Sequence, residues 1–464
     1  QACRRELELS TLGTSRGGIA RRPAVQLPTA SNRFVAWLVL IGIALPSSMT
    51  VFIGGAKFIP SRIVICLLLV PGLVELFRKR RIGAPDILVF AASTWMFGAA
   101  LQTDESYSNT GAVVLEFAGG YILARAYFLE RLQLETFVHV LKPITIAIIA
   151  MAALEHLTQH NIPAVLLGMP STGHEYRYGL LRAASTFPHP IAYGTFCAVA
   201  GAIFVYSERS FSSRILYGGI CLFGCVLAMS TAPLMAFTIA MAVYCYDRLL
   251  PASSWRWQAM LAAMAIFLAT VFAAANKPVS WLVANLTLDP ATGYFRVATW
   301  DTASYYINLS PYVGYGFATY APSEDFFANA SVDAVWLTLS LRFGIPLAVL
   351  IFLASIASFY RSGPTAHIWR FNDPCMNDFR AGFTLALALY IFVGFTVHYW
   401  NNIWIFWGIC IGIRASLQEE FFLTNTSPVL NFRRTGSTGG LAPIAPGIPH
   451  MAGRPLQGSD GFLS

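Results

Sequence analysis

Twelve apolar stretches, near residues 34–54, 63–77, 86–102, 111–129, 137–155, 190–206, 215–229, 231–247, 258–276, 333–359, 381–398 and 402–415, fill most of the chain. Polar and charged residues gather in the gaps between them. A helix needs roughly 20 mostly apolar residues to cross a hydrocarbon core of about 30 Å, because lipid cannot satisfy exposed backbone polar groups. The pattern therefore predicts an all-α, polytopic integral membrane protein with about 12 transmembrane helices over residues 34–415. Two connections on one side, 156–189 and 277–332, are long, and long ordered loops are usually functional. Residues 1–33 and 416–464, rich in Gly, Pro, Ser and Arg, carry no folding signal and are expected to be disordered tails.

Composition agrees: 56% of residues are hydrophobic and 12% charged, and mean hydropathy is +0.57, values rare in a soluble chain. Charge then orients the helices. With the N-terminus inside, 23 of the 31 Lys and Arg fall on the inner side, among them the run Arg78, Lys79, Arg80, Arg81. Lys142 and Arg342 lie within helices, and Lys57, Arg62, Arg177, Arg182, Lys277 and Arg296 lie outside. The positive-inside rule predicts that both termini are cytoplasmic. The net charge of +8 needs no nucleic-acid partner, since basic residues beside a membrane reflect topology and contact with anionic lipid. No cleavable signal peptide is evident, because the first apolar span is long and starts late. None of the eight cysteines lies in a long external loop, so no disulfide is expected there. There is no internal repeat, no GxxxxGK[ST] phosphate loop and no HExxH zinc signature. Asn-x-Ser/Thr triplets start at Asn285, Asn308 and Asn329 and matter only in a secretory-pathway host.

The candidate chemistry sits in the two long loops. Arg182-Ala-Ala-Ser-Thr-Phe-Pro-His189-Pro precedes a helix, and its prolines predict a rigid turn at the membrane surface. An arginine on the disfavoured side binds either lipid headgroups or a phosphate or carboxylate ligand, for which its planar fork is suited. A helix is expected near 294–309, with Tyr294, Phe295, Trp300, Tyr305 and Tyr306 around Arg296, as interface anchors or sugar-stacking rings. The Gly314-x-Gly316 pair allows tight backbone approach. Asp333 begins a re-entering helix, where it serves as a cap or as a base for a substrate hydroxyl. Arg342, nine residues further on, is expected about 13 Å deeper, near the bilayer midplane, with Glu116 as a candidate partner. His156 and His160 lie i, i+4 beside Glu155 but lack a third metal ligand. His174 and Arg177 lie mid-loop, suited to a phosphate or to solvent.

These residues together resemble the O-antigen ligase and Wzy-type polysaccharide polymerase superfamily of the bacterial inner membrane. The resemblance runs over most of 34–415 and rests on Arg182 with Ser185-Thr-Phe-Pro-His-Pro190, Ser230-Thr-Ala-Pro233, Arg296 with Trp300, Pro311 to Phe317, and Ser331-Val-Asp333 followed by Arg342-Phe-Gly344. It implies metal-independent and cofactor-independent glycosyl transfer on the periplasmic face, from sugar chains linked by diphosphate to undecaprenol. Arg182 and Arg296, with Arg177 and Arg342, would hold the diphosphate, Trp300 the substrate, and Asp333 or His189 would deprotonate the acceptor. Ligases of this superfamily tend to carry a histidine near the end of the large loop, whereas this chain has Val-Asp333 and no histidine from 190 to 366. The pattern looks more like the exopolysaccharide polymerases, with membrane lipids, a chain-length regulator and a flippase as candidate partners. The alternatives are a ligase acting on lipid A-core, a lipid-linked sugar flippase or secondary transporter, and a non-catalytic scaffold. Transporters of twelve spans usually show two related halves, which are not evident here.

Overall fold

The computed structural model describes residues 30–54, 56–103, 107–167, 175–177, 179–250, 253, 255–276, 278, 281, 290–318, 320, 332–359, 374–399 and 401–426. His174, Lys277, Asn285, Asn329, Ser331 and most of the two predicted tails lie outside those residues. The described chain is nearly all-α. Each of the twelve apolar stretches contains helix, and among the described residues six helices are long and apolar enough to cross a membrane: Pro60–Arg78, Ala84–Gln102, Arg131–Thr158, Pro190–Ser207, Arg256–Ala274 and Pro374–Val393. Several long apolar helices of this kind make the chain a membrane protein.

In chain order the helices are α1 (Ala30–Ala44), α2 (Pro60–Lys79), α3 (Ala84–Gln102), α4 (Tyr107–Tyr127), α5 (Arg131–Thr158) and the short α6 (Ile162–Leu167). There follow α7 (Pro190–Ser207), α8 (Phe211–Leu227), α9 (Thr231–Leu249), α10 (Arg256–Ala274) and α11 (Pro290–Leu309). The last four are α12 (Val335–Phe343), α13 (Ile345–Ala357), α14 (Pro374–Val393) and α15 (Asn401–Thr426). Two small antiparallel hairpins, β1 (Val51–Ile53) with β2 (Ala56–Phe58) and β3 (Tyr176–Arg177) with β4 (Leu180–Leu181), complete the described elements.

Three sequence boundaries shift. The first stretch leaves helix at Ala44, just ahead of Pro46, and its end forms the β1–β2 hairpin. The stretch 333–359 is two helices rather than one, broken at Gly344. The boundary drawn at 415 falls inside α15, where buried Leu417 and Glu419 continue the core.

Helix α7 is the hub. Pro190 stands in its first turn, where no amide is needed, and the His189 ring accepts a hydrogen bond from the Ile191 amide at 3.2 Å. From Tyr193 to Tyr206 every α7 residue is buried, against α8, α9 and α14. A helix apolar all round belongs inside a bundle.

Ion pairs mark the opposite ends. At one end the buried Arg125 guanidinium donates to Asp86 at 3.0 Å and to Glu419 at 2.7 Å, tying α3, α4 and α15 together. Arg62, at the other end of α2, donates to Glu116 at 2.8 Å. The start of α12 lies toward this second end, with Val335 sharing a cavity with Arg62 and Asp333 close enough to Arg182 to interact with it.

Candidate functional site

The site begins with a buried carboxylate. Glu155, in the last turn of α5, accepts hydrogen bonds from the amides of Ser185 (2.6 Å) and Ala184 (3.2 Å) and from the Asn161 side chain (3.1 Å). Ser185 takes the left-handed conformation, φ 52°, and its hydroxyl donates to the Ile148 carbonyl. The 183–187 turn is thereby buried in the bundle end, deeper than the surface turn expected from its prolines. This arrangement also removes the metal-site reading of 155–160. The helix stops at Thr158, so His156 and His160 do not share a helix face, and His156 Nδ1 pairs with the Leu181 carbonyl. Glu155→Ala should leave two buried amides without this acceptor, destabilising the protein by about 2–6 kcal/mol at roughly 1–3 per orphaned group. A melting temperature unchanged in detergent would contradict that role.

The turn fixes the arginines. Arg182 pairs with Glu175 and donates from Nε to the Ala228 carbonyl at 3.3 Å, while Arg177 donates to the Met229 carbonyl at 3.0 Å. Both guanidiniums therefore sit on the carbonyl-rich end of α8, at the turn leading to Ser230 and Thr231, where cations are favoured. His189 donates from Nε2 to Glu175 at 2.8 Å. The hydrogen bond from His189 holds Glu175 below the usual carboxylate range.

Arg296 reaches the same place from α11. Arg296, Thr299, Ala303, Tyr306 and Ile307 form the buried stripe of that helix, spaced three to four apart, and pack on α12, while Tyr294 and Tyr305 are exposed. Arg296 is 9% exposed, and no hydrogen bond reaches its Nη1 from the described residues. Burial pulls its guanidinium down from the ordinary value, Asp333 opposes that, and Arg177 and Arg182 add to it. Arg182, also lowered by burial, feels Glu175, Arg177 and Asp333. Three arginines from two distant segments thus share one electrostatic neighbourhood with a single aspartate, and Asp333 lines a crevice with Arg296, Thr299 and Trp300.

Ala334, not Asp333, holds the N-cap position of α12, and it makes no side-chain cap bond. Asp333 is therefore not the cap. Trp300 donates to the Phe395 carbonyl at 3.1 Å and stacks on the Phe395 ring, which ties it to the turn after α14. Arg342 faces a different space. It lies over the Phe317 ring at 4.7 Å and lines a cavity of about 290 Å³ with Lys57, Arg62, Glu116 and His398. The expected pairing of Glu116 with Arg342 gives way to Arg62, which points into the same cavity from α2.

The motifs at 311–317 and 342–344 meet through their backbones. Tyr315 and Gly316 donate to the carbonyls of Leu341 and Arg342 at 2.7 and 2.9 Å, and Ile345 donates to Pro311 at 2.8 Å. The Trp95 indole, from the middle of α3, donates to the Phe343 carbonyl at 2.9 Å, so the break between α12 and α13 lies well inside the bundle. Irregular backbone at that depth persists because protein groups satisfy it.

Sequence reasoning missed Glu175, Lys57 and His398 as site residues. A lone acid between His174 and Arg177 in an arginine-bearing loop was the available sign of Glu175. No family model matches this chain, and no curated protein matches it. Arg182→Lys should retain charge but lose the forked contact, lowering activity roughly tenfold or more at equal amounts of membrane-inserted protein. Full activity would reduce position 182 to a point charge.

Proposed function

We propose that this chain is a polymerase of the O-antigen ligase and Wzy-type superfamily, extending polysaccharide from undecaprenyl-diphosphate-linked repeat units. It would act in a bacterial inner membrane, with about twelve spans, both termini cytoplasmic and the loops 156–189 and 277–332 periplasmic. The observation that carries this reading is the convergence of Arg177, Arg182 and Arg296 near Asp333 and Glu175, with a buried Arg296 nitrogen to which no described residue hydrogen-bonds.

The chemistry follows from those groups. An acceptor hydroxyl oxygen attacks the anomeric carbon, the bond from that carbon to the diphosphate oxygen breaks, and the diphosphate leaves with the electron pair. Negative charge grows on the leaving group, and fixed guanidiniums oppose it without reorganising. The hydroxyl proton passes to Asp333. His189 is the weaker candidate for base, because Nδ1 already accepts from Ile191 and Nε2 donates to Glu175.

Purified protein in liposomes, given undecaprenyl-diphosphate oligosaccharide and EDTA, should yield products growing by whole repeat units. One transfer onto lipid A-core would identify a ligase, and translocation without a product would identify a transporter. Strict dependence on a divalent metal would contradict the mechanism.

A further inference from the structure

Among the described residues, Arg125 and Arg414 are the buried arginines at the end of the bundle that holds Glu419. Arg125 meets Asp86 and Glu419 there. Arg414, in α15, is 6% exposed, and no carboxylate among the described residues pairs with it. Its Nε donates to the Thr384 hydroxyl of α14 at 2.9 Å, its guanidinium lies over the Phe359 ring at 5.9 Å, and Arg380 adds like charge. One neutral hydrogen bond and one ring do not offset the cost of burying a charge.

The neighbouring sequence adds more positive charge than negative. The connection 360–373, outside the described residues, holds Arg361, His367 and Arg370 against one acid, Asp373. Glu420, six residues after Arg414 on α15, stands about 120° round that helix and about 9 Å along it. A second observation shows what leads up to the guanidinium. Along α13, Ile345, Val349, Phe352, Leu353 and Ile356 are exposed, at the three- and four-residue spacing of one helix face. In a membrane protein such a stripe faces acyl chains, and three residues beyond Ile356 it reaches Phe359, the ring under Arg414.

We propose that Arg414 anchors a site for an anionic phospholipid, with the phosphodiester on its guanidinium and the acyl chains along the α13 stripe. The planar fork of arginine matches two phosphate oxygens, and basic pockets between membrane helices bind such headgroups. A soluble anion would leave the apolar stripe unused. The choline of a zwitterionic lipid would bring a cation toward Arg380 and Arg414, which favours a lipid of net negative charge. The lipid would join α13, α14 and α15 where Phe359, Thr384 and Arg414 meet. This site rests on the chain being a membrane protein and is independent of the polymerase reading.

Full-length protein in mild detergent is given equal amounts of phosphatidylglycerol and phosphatidylcholine, and the lipids that stay bound are identified by native mass spectrometry. Phosphatidylglycerol should be retained at least roughly tenfold over phosphatidylcholine, and Arg414→Gln should bring the two to near parity. Arg414→Lys, the milder change should folding suffer, keeps the charge without the fork and should lose at least about half of the preference. Arg209→Gln, at an exposed arginine of the same end, should leave it unchanged. No preference in the parent protein, a preference unchanged in either Arg414 variant, or displacement of phosphatidylglycerol by an equal concentration of inorganic phosphate would each overturn the proposal. So would a preference that emerges only in Asp373→Asn, since that carboxylate would then be the partner of Arg414.

Discussion

Arg296→Ala should abolish polymer while leaving the protein inserted in the membrane at normal levels. The guanidinium is buried beside Asp333, Arg177 and Arg182, and no described residue hydrogen-bonds its Nη1. A fixed donor aimed at developing negative charge typically contributes a factor of about 10²–10³, so the loss should reach about a hundredfold or more. Stability should not suffer in step, since the change also relieves repulsion among three arginines. Polymer length and yield in cells lacking the native gene, complemented with the variant, would check this. Normal polymer would reject the diphosphate role of Arg296.

Gly344→Ala should have the largest structural effect. The residue sits at φ 80°, ψ 165°, a conformation essentially confined to glycine. A Cβ there would lie 2.0 Å from the Tyr312 carbonyl oxygen, which is backbone and cannot swing aside. Either the 311–316 loop retreats, losing its bonds to Leu341, Arg342 and Ile345, or the α12–α13 break reshapes. Conformational strain of about 1–3 kcal/mol then adds to lost backbone bonds at about 1 kcal/mol each. Activity should fall with stability, because both walls of the Arg342 cavity depend on this contact. Gly219→Ala, whose added Cβ would meet nothing within 4 Å, is the matched control and should melt like the parent protein. Equal melting of the two variants would show that the close approach is unimportant.

Hydropathy located the long apolar helices among the described residues, because burial in lipid or in the bundle demands the same apolar run. Helix α11 falls in none of the twelve stretches and was signalled by its aromatics around Arg296. Hydropathy could not locate the break at Gly344, since Phe343-Gly344-Ile345 is as apolar as the residues on either side. What splits the stretch is backbone geometry, signalled in the sequence by Gly344 and by Pro346 in the first turn of α13. Arg182, Arg296 and Asp333 were legible because charge is costly near apolar spans and arginine is disfavoured outside. Their mutual neighbourhood was not legible, being set by the packing of α11 on α12 and by the turn that Glu155 holds. The same limit hid the partners of Glu116 and Glu155. A carboxylate in sequence does not say which cation or amide reaches it: Glu116 meets Arg62 rather than the expected Arg342, and Glu155 meets the Ala184 and Ser185 amides.

The account depends on the arginine cluster facing away from the cytoplasm. Tyr176 and Tyr294, exposed neighbours of Arg177 and Arg296, can each be changed to cysteine in a background lacking the native cysteines. Intact spheroplasts should then react with a membrane-impermeant maleimide at both positions, and a cysteine at Arg209, on the opposite end, should react only after lysis. Protection of positions 176 and 294 until lysis, with ready labelling at 209, would put the cluster on the cytoplasmic side and contradict the proposal.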